Sequence, residues 1–442
     1  MSITETASPS TPVAQSVSIR PRRNRLGPLI YRDPSHATLP HVVSFSGGRS
    51  SAALLFLAAE EGLLSASRGD VVLFANTSAE HPGTYEFAAE CKRRIETEFG
   101  LPFFWFEFTT IEDAWRGEYW RKLSYRLVKP VPIDSDPDGY RSRGELFEDL
   151  VSLQGMLPNV HSRTCTAKLK LHPSHLLLGE WFGGTEGPAH AGHHWCDLDL
   201  GPQEGLISPI RVADRYSLTR GTATRESIIR RAEHLNSRPS SRPQQYWADY
   251  TEAPVPTALV GARPAPMRGS GAAPHVRLLG LRADEDRRVI RVLSRSLFAE
   301  GATTAKCSVK NQPPGERPYF PLYDAGFEDR DVRSYWQSRD FDLDIPPNAG
   351  NCVFCFMKGT TQLVELGRSS DSRRRSDTPS DIEWWADFES RHMRLVPQRG
   401  GTGVSRFGFF GVNARPFSEL ADGLTNKGDR YATGTPACDC TD

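Results

Sequence analysis

The sequence has no long hydrophobic run: no stretch of its 442 residues approaches the roughly 18 apolar residues of a membrane-crossing helix. Its Ser/Thr/Pro-rich N-terminus lacks the apolar centre of a signal peptide. A soluble, cytoplasmic protein that does not enter a membrane is expected. Charge of one sign is also missing, because Lys+Arg and Asp+Glu each total 54. A neutral chain has no overall attraction for polyanions, so any nucleic-acid contact must come from local patches. Three such patches are "IRPRRNR" (19–25), the arginine-dotted stretch 211–242 and "SRRRS" (372–376); each reads equally as a solvated or disordered segment. Internal repeats are absent. The eight cysteines are unevenly spaced, unlike a disulfide framework.

What is present is an alternating pattern. Residues 1–38 are polar and proline-punctuated, and little order is expected there. From Val42, "VVSF" reads as a buried parallel strand and "SAALLFLAAEEGLL" as the helix behind it. "VVLFAN" (71–76) is a second strand, "TYEFAAECKRRIETEFG" (84–100) an amphipathic helix closed by Gly100, and "PFFWFEF" (102–108) a third strand. This alternation predicts an α/β, Rossmann-like parallel sheet flanked by helices. Residues 181–275 break the rhythm and read as an irregular, partly disordered insertion with a modest helical pattern over 224–235. The buried strand "VRLLGLRA" (276–283) resumes the core. The core is thus expected at 39–180 and 276–345. A small Cys-containing region follows at 346–442, with a Ser/Arg linker (368–380) and a helix at "DIEWWADFES" (381–390).

The junction "HVVSFSGGRSSAALLFLA" (41–58) places small residues between two runs that both want burial. Where a parallel strand ends and a helix begins, the first helical N–H groups lack partners and the dipole's positive end faces the turn. Gly47 and Gly48 allow tight backbone angles and leave that end bare. The result is suited to phosphate, with hydroxyls from Ser44, Ser46, Ser50 and Ser51 and a cation from Arg49. An ordinary helix cap is the alternative. The pattern is neither GxGxxG nor GxxxxGK[ST].

It resembles the SGGxDS loop of the PP-loop ATP pyrophosphatases, with Ser50 at the family's Asp position. "ANTSAEHPGTYEF" (75–87) is similar to the NTGxExPETxxF element of the PAPS-reductase branch. "SRTCTAKLKLHP" (162–173) is similar to that branch's Cys-Thr-x-x-Leu-Lys segment. "GLRADEDRRV" (280–289), "PYFPLYDAG" (318–326) and "GNCVFCFMKG" (350–359) resemble motifs of a phage and bacterial PAPS-reductase-like subfamily. The resemblance implies an adenine nucleotide alpha hydrolase-like fold and ATP with Mg2+ as ligands. It implies a nucleotide site drawing on residues 44–51, Asn76, Thr77, Glu80, Gly280, Arg282, Asp284, Glu285 and Arg288.

The thiols suggest a second centre. Cys165 lies beside Lys168 and Lys170, cations that lower a thiol pKa and attract anions, so all three are candidate catalytic residues. Cys352 and Cys355 form a CxxC that two glycines bracket. With Cys165, and with Cys438 or Cys440 as a fourth ligand, they could hold a 4Fe-4S cluster; a structural Zn2+ is the alternative. "HAGHHWC" (190–196) carries metal-type residues at no common spacing. The expected activity is ATP-dependent sulfur transfer to a nucleic acid, with a sulfur-donor protein such as a cysteine desulfurase as partner. The alternatives are reduction of adenylyl sulfate and a nucleotide-binding module without turnover. Oligomeric state is left open.

Overall fold

The computed structural model describes residues 24–115, 118–183, 247–255, 274–301, 316–350, 352–397 and 403–425. Seven strands form one sheet: β1 (His41–Phe45), β2 (Val71–Asn76), β3 (Phe103–Trp115), β4 (Glu118–Pro132), β5 (Gly139–Tyr140), β6 (His275–Leu279) and β7 (Glu316–Tyr319). Their order is β5-β4-β3-β2-β1-β6-β7. The helices are α1 (Arg49–Glu60), α2 (Pro82–Phe99), α3 (Glu145–Gln154), α4 (His172–Gly183), α5 (Asp286–Gly301), α6 (Pro321–Asp324), α7 (Asp329–Gln337), α8 (Thr360–Arg368), α9 (Ile382–His392) and α10 (Phe417–Ala421).

The continuous apolar runs are strands because the sheet is buried on both faces. Val43, Phe45, Val72, Phe74, Phe103 and Trp105 point to one side, onto α1, α2 and α7. Their neighbours Val42, Val71, Leu73, Phe104 and Phe106 point to the other, onto Leu177, Leu178, Trp181 and Trp247. Helix α1 sits between the sheet and α7, and every residue from Ser51 to Ala59 is buried. Pro82 and the His81 side chain, which accepts from Gly83 N–H, start α2, and Gly100 in the left-handed region ends it.

The α/β class and the parallel order around β1 match the sequence reading. The third strand does not stop at 108. It continues to Trp115 and turns back antiparallel as β4, with Trp105 opposite Val128 and Phe108 opposite Tyr125. Mixed polar composition in 116–130 hid this hairpin, whose outer part carries no continuous apolar face.

Residues 24–38 are more ordered than expected. Leu29 and Tyr31 pack on the core, and the Arg32 guanidinium lies 4.3 Å from the centre of the Tyr319 ring. The presumed linker 368–380 is also folded, with Asp371 2.7 Å from His81 Nε2. Within the expected insertion, α4 runs on to Gly183 and Trp247 packs under the sheet. The helical pattern 224–235, the arginines of 211–242, "HAGHHWC" (190–196) and the patch 19–23 lie outside the described residues.

A second core is built from α3, α8, α9 and α10 around Cys352–Phe356, with Phe147, Trp385, Phe388 and Phe409 at its centre. Three antiparallel strands, β8 (Arg394–Pro397), β9 (Val404–Gly408) and β10 (Gly411–Val412), project from it. No described helix is long and apolar enough to cross a membrane.

Candidate nucleotide cleft and thiol pocket

Strand β1 pairs with β2 on one side and β6 on the other, so connections leave it in opposite directions. Ligands of doubly wound sheets collect at such a switch point, beyond the strands' carboxyl ends. Here a cleft of about 400 Å3 opens, a size that suits a small-molecule ligand. One wall is the β1–α1 turn, with Ser46, Gly48, Arg49, Ser50 and Ser51. A second is the segment after β6, with Gly280, Arg282, Glu285 and Arg288, and the far side includes Ile345, Asn348, Gly350 and Lys358.

Gly47 has φ +78°, and a Cβ there would stand 2.7 Å from Thr84 Cγ2. Gly48 has ordinary extended angles, φ −98° and ψ 160°. Among the described residues the N–H groups of Gly47, Gly48, Arg49 and Ser50 make no backbone hydrogen bond. Gly280 is needed for a different reason: its Cβ would fall 2.7 Å from Ser51 Cα. Only glycine lets the end of β6 touch the first turn of α1.

The serines divide. Ser51 is structural, because its Oγ accepts from Ser46 N–H at 3.1 Å and donates to Gly48 O at 3.0 Å. Ser50 faces the cleft, and its Oγ accepts from Arg282 Nη1 at 2.9 Å. Ser44 accepts from Arg277 Nε at 2.7 Å and lines a side pocket of about 40 Å3 with Ser46, Lys170 and Arg277. The cleft's cations already hold carboxylates: Arg49 grips Asp342 with two bonds, Arg282 grips the exposed Asp284, and Arg288 donates to Glu285.

Asn76, Thr77 and Glu80 do not reach this cleft. Asn76 Nδ2 donates to Glu107 Oε1 and to Arg141 O, both at 2.7 Å. Its Oδ1 accepts from Ser78 N–H and the Tyr85 hydroxyl, so it braces the sheet edge. Glu80 accepts from Thr77 Oγ1 (2.6 Å), from the Thr77 and Ala79 N–H groups and from Tyr85. Their position after β2 is as expected, but their partners lie toward the thiols: Thr77 Oγ1 is 3.2 Å from Cys352 Sγ.

Cys165, Cys352 and Cys355 line one enclosed pocket with Thr77, Thr166, Lys170, Phe147, Phe356 and Trp385. Cys165 is thereby brought together with a cysteine pair nearly two hundred residues later in the sequence. Cys165 belongs to a helical segment that widens into a π-helix over Thr166–Leu171. Cys352 bridges to Glu80, and Val353 N–H donates to Ala79 O at 3.0 Å.

The expectation that lysines lower the Cys165 pKa is reversed. Burial among aromatic rings pushes it up to about 11, and the neighbouring Cys355 adds to the rise; Arg163 and Lys170 pull it down less. Burial likewise drives the Cys352 thiol well above its ordinary value. Lys168 is half-exposed and does not line the thiol pocket. Cys438 and Cys440 lie outside the described residues.

Lys358 was not anticipated. Its buried ammonium donates to the carbonyls of Asn348 (2.5 Å), Val353 (2.7 Å), Gly350 and Cys352 (both 3.2 Å). Burial lowers its pKa to about 8, against the opposing pull of Cys355 and Cys352. A lysine three residues after a CxxC, followed by glycine, was the available signal. It staples the loop that separates cleft from thiols.

The pocket between the thiols holds about 10 Å3, at most the room of a single water. Among the described residues no group of three His, Cys, Asp or Glu side chains converges to hold a metal ion. The donors are of the right kind for zinc or iron, but the space as it stands does not fit a four-iron cube.

The fold is that of an α/β protein with a cleft at the switch point of its sheet. No family model and no solved structure matches the chain. It is similar to the uncharacterized nin region protein ORF290 of Escherichia phage lambda, 24% identical over 324 residues, which cover 73% of this chain and 68% of that protein.

Proposed function

We propose that this chain is an ATP-using enzyme of the PP-loop, PAPS-reductase-like kind, which adenylates an acceptor and then passes sulfur to it. The acceptor we propose is a nucleic acid. The carrying observation is a cleft with unpaired backbone amides and a pocket of three thiols, both lined by residues of the segment that Lys358 ties together.

In this reading the phosphates lie on the amides of Gly47–Ser50, with Arg49, Arg282 and Arg288 around them. Mg2+ enters as the nucleotide's own counterion; Glu285 and Asp329 are carboxylates on the cleft wall. An acceptor oxygen attacks the α-phosphorus, pyrophosphate leaves, and the acceptor carries AMP. A sulfur-donor protein such as a cysteine desulfurase loads one pocket thiol as a persulfide. Its terminal sulfur displaces AMP, and a second pocket thiol attacks the inner sulfur. That closes a disulfide and frees the thiolated acceptor; a cellular dithiol then reduces the pair. A 4Fe-4S cluster or Zn2+ on Cys165, Cys352 and Cys355 would require the pocket to open, and no step above passes through one.

The test is product analysis with the full chain, purified anaerobically, alongside iron, sulfide and zinc assay. Pyrophosphate and AMP from ATP, lost when Cys352→Ser is combined with Cys355→Ser only at the sulfur-transfer stage, are expected. Sulfite from adenylyl sulfate with no pyrophosphate from ATP identifies a reductase instead. ATP binding with neither product identifies a binding module.

A further inference from the structure

Residues 390–416 contain five arginines and no aspartate or glutamate, in a chain whose charges otherwise balance. This acid-free stretch forms the β8–β10 sheet. Arg391 is committed to Glu148 and Asp387, and Arg415 to Glu419. The sheet itself keeps Arg394 and Arg406. Arg406 comes no closer than 3.7 Å to Glu419. The Arg394 side chain makes no hydrogen bond or ion pair with any described residue, although burial of its guanidinium is enough to lower its pKa. A half-buried, unpaired cation is costly unless an anion from outside completes it.

The apolar groups beside these arginines are exposed too. Cross-strand pairing places Arg394 opposite Phe407, which faces Val412 on its other side; Leu395 lies opposite Arg406 and Pro397 opposite Val404. Phe407 is 38% and Val412 49% exposed, and Leu395 and Val404 more than half. One face of the sheet therefore offers a cation, an aromatic ring and an aliphatic side chain in a row. Such a row contacts a phosphate and the flat face of an adjacent base. The sheet is also joined to the thiol pocket. Phe409, in the β9–β10 turn, stacks on Phe356 with ring centres 5.3 Å apart, and its carbonyl accepts from Val160 N–H.

We propose that the Arg394–Phe407–Val412 face of this sheet docks a single strand of nucleic acid and presents it toward the thiol pocket; Arg406, next to Phe407 on the central strand and paired with Leu395, points to the other face. This rests on the nucleic-acid acceptor proposed above and names the surface that holds it. An anionic membrane would use the same arginines but would not require a stacking ring beside them.

The experiment is fluorescence anisotropy with labelled 20-nucleotide single-stranded DNA and RNA and the full chain, over a salt series. The Arg394→Ala variant is expected to weaken binding about 5-fold or more and to lower the salt slope by about 1, whereas Arg406→Ala, on the opposite face, is expected to change neither. Phe407→Ala, at an exposed position, is expected to weaken it roughly 5-fold or more with the salt slope unchanged. Thermal melts confirm that the variants fold, and affinity for a non-hydrolysable ATP analogue stays as in the wild type. Strand binding unchanged in all variants overturns the docking face while the nucleic-acid acceptor stands. No strand binding by the wild type, with binding of a non-hydrolysable ATP analogue intact, overturns the acceptor and the face together. Arginine-dependent binding to phosphatidylserine vesicles but not to oligonucleotides overturns the proposal in favour of a membrane contact.

Discussion

Adjacent glycines in the β1–α1 turn make the cradle claim testable, because their two Cβ positions meet different surroundings. At Gly47 the backbone is left-handed and an added Cβ would stand 2.7 Å from Thr84 Cγ2 and 3.3 Å from Phe74. The conformational term costs about 1–2 kcal/mol and overpacking about 1–3 kcal/mol. Gly47→Ala should therefore lose roughly 2–5 kcal/mol of stability, whatever the cleft binds. At Gly48 the angles suit any residue, and the nearest atom to an added Cβ is Ser46 Oγ at 3.6 Å. Gly48→Ala should change stability by no more than about 0.5 kcal/mol.

Gly48 nevertheless lines the cleft, so its new methyl occupies space next to the unpaired amides. If phosphates approach that backbone, affinity for a non-hydrolysable ATP analogue should fall at least about 10-fold, or 1.4 kcal/mol. Thermal melts and calorimetric titration of both variants separate the two effects. A Gly48→Ala protein with unchanged melting and unchanged affinity refutes the phosphate cradle. A Gly48→Ala protein as unstable as Gly47→Ala refutes the steric reasoning itself.

Three further outcomes follow. Asp342→Asn should barely affect stability, because the Arg49–Asp342 pair is more than a third exposed on each side and such pairs are worth about 0–1 kcal/mol; ATP affinity should rise several-fold as Arg49 is released, and a fall would make Arg49 a clamp rather than a phosphate ligand. Lys358→Met removes the ammonium from four carbonyls, so Cys352 and Cys355 should react with a thiol reagent at least about 10-fold faster in the native state, read by Ellman's assay; unchanged reactivity would show that the loop holds without the staple. Burial pushes the Glu389 carboxyl up from 4.5 to about 7, against the Phe417 and Phe409 N–H groups it accepts. The folded state then keeps a proton that the unfolded chain has already lost between those values. The Glu389 contribution should therefore be fully present below about pH 4.5 and decline by about 3 kcal/mol as pH rises to 7. Urea melts of the wild type against Glu389→Gln across pH 5 to 8 check this, and a difference that does not change with pH refutes it.

The parts of the fold that were legible in the sequence are those where one physical demand dominates. β1, β2 and β6 are buried on both faces, so their apolar runs carry an unambiguous signal. Gly47 was legible because an unusual backbone angle needs an unusual residue, whereas Gly48 has angles that any residue adopts. The hairpin of β3 and β4 was not legible, since its outer half is mixed in composition. The assembly of Cys165 with Cys352 and Cys355 was read from type and spacing, and the fold does bring them to one pocket. The electrostatics were misread: two lysines nearby in sequence count for less than the aromatic rings that exclude water in space. Asn76 and Glu80 were misplaced for a related reason. Polar residues at a strand end look available, and only packing shows that buried neighbours have already used their hydrogen-bonding groups.

The loop ending at Lys358 ties these observations together. Asn348, Gly350 and Lys358 face the cleft, while Cys352, Cys355 and Phe356 face the thiol pocket. Asn348 takes a left-handed angle, φ 65°, at the bend. One ammonium draws four carbonyls from both stretches inward, so neither wall can shift without disturbing the other. Burial holds the Cys165 and Cys352 thiols in their protonated form, which protects them from oxidation but also leaves them poor nucleophiles. Chemistry at Cys352 therefore requires the loop to loosen, and the loop's other surface is the one a ligand in the cleft would press upon.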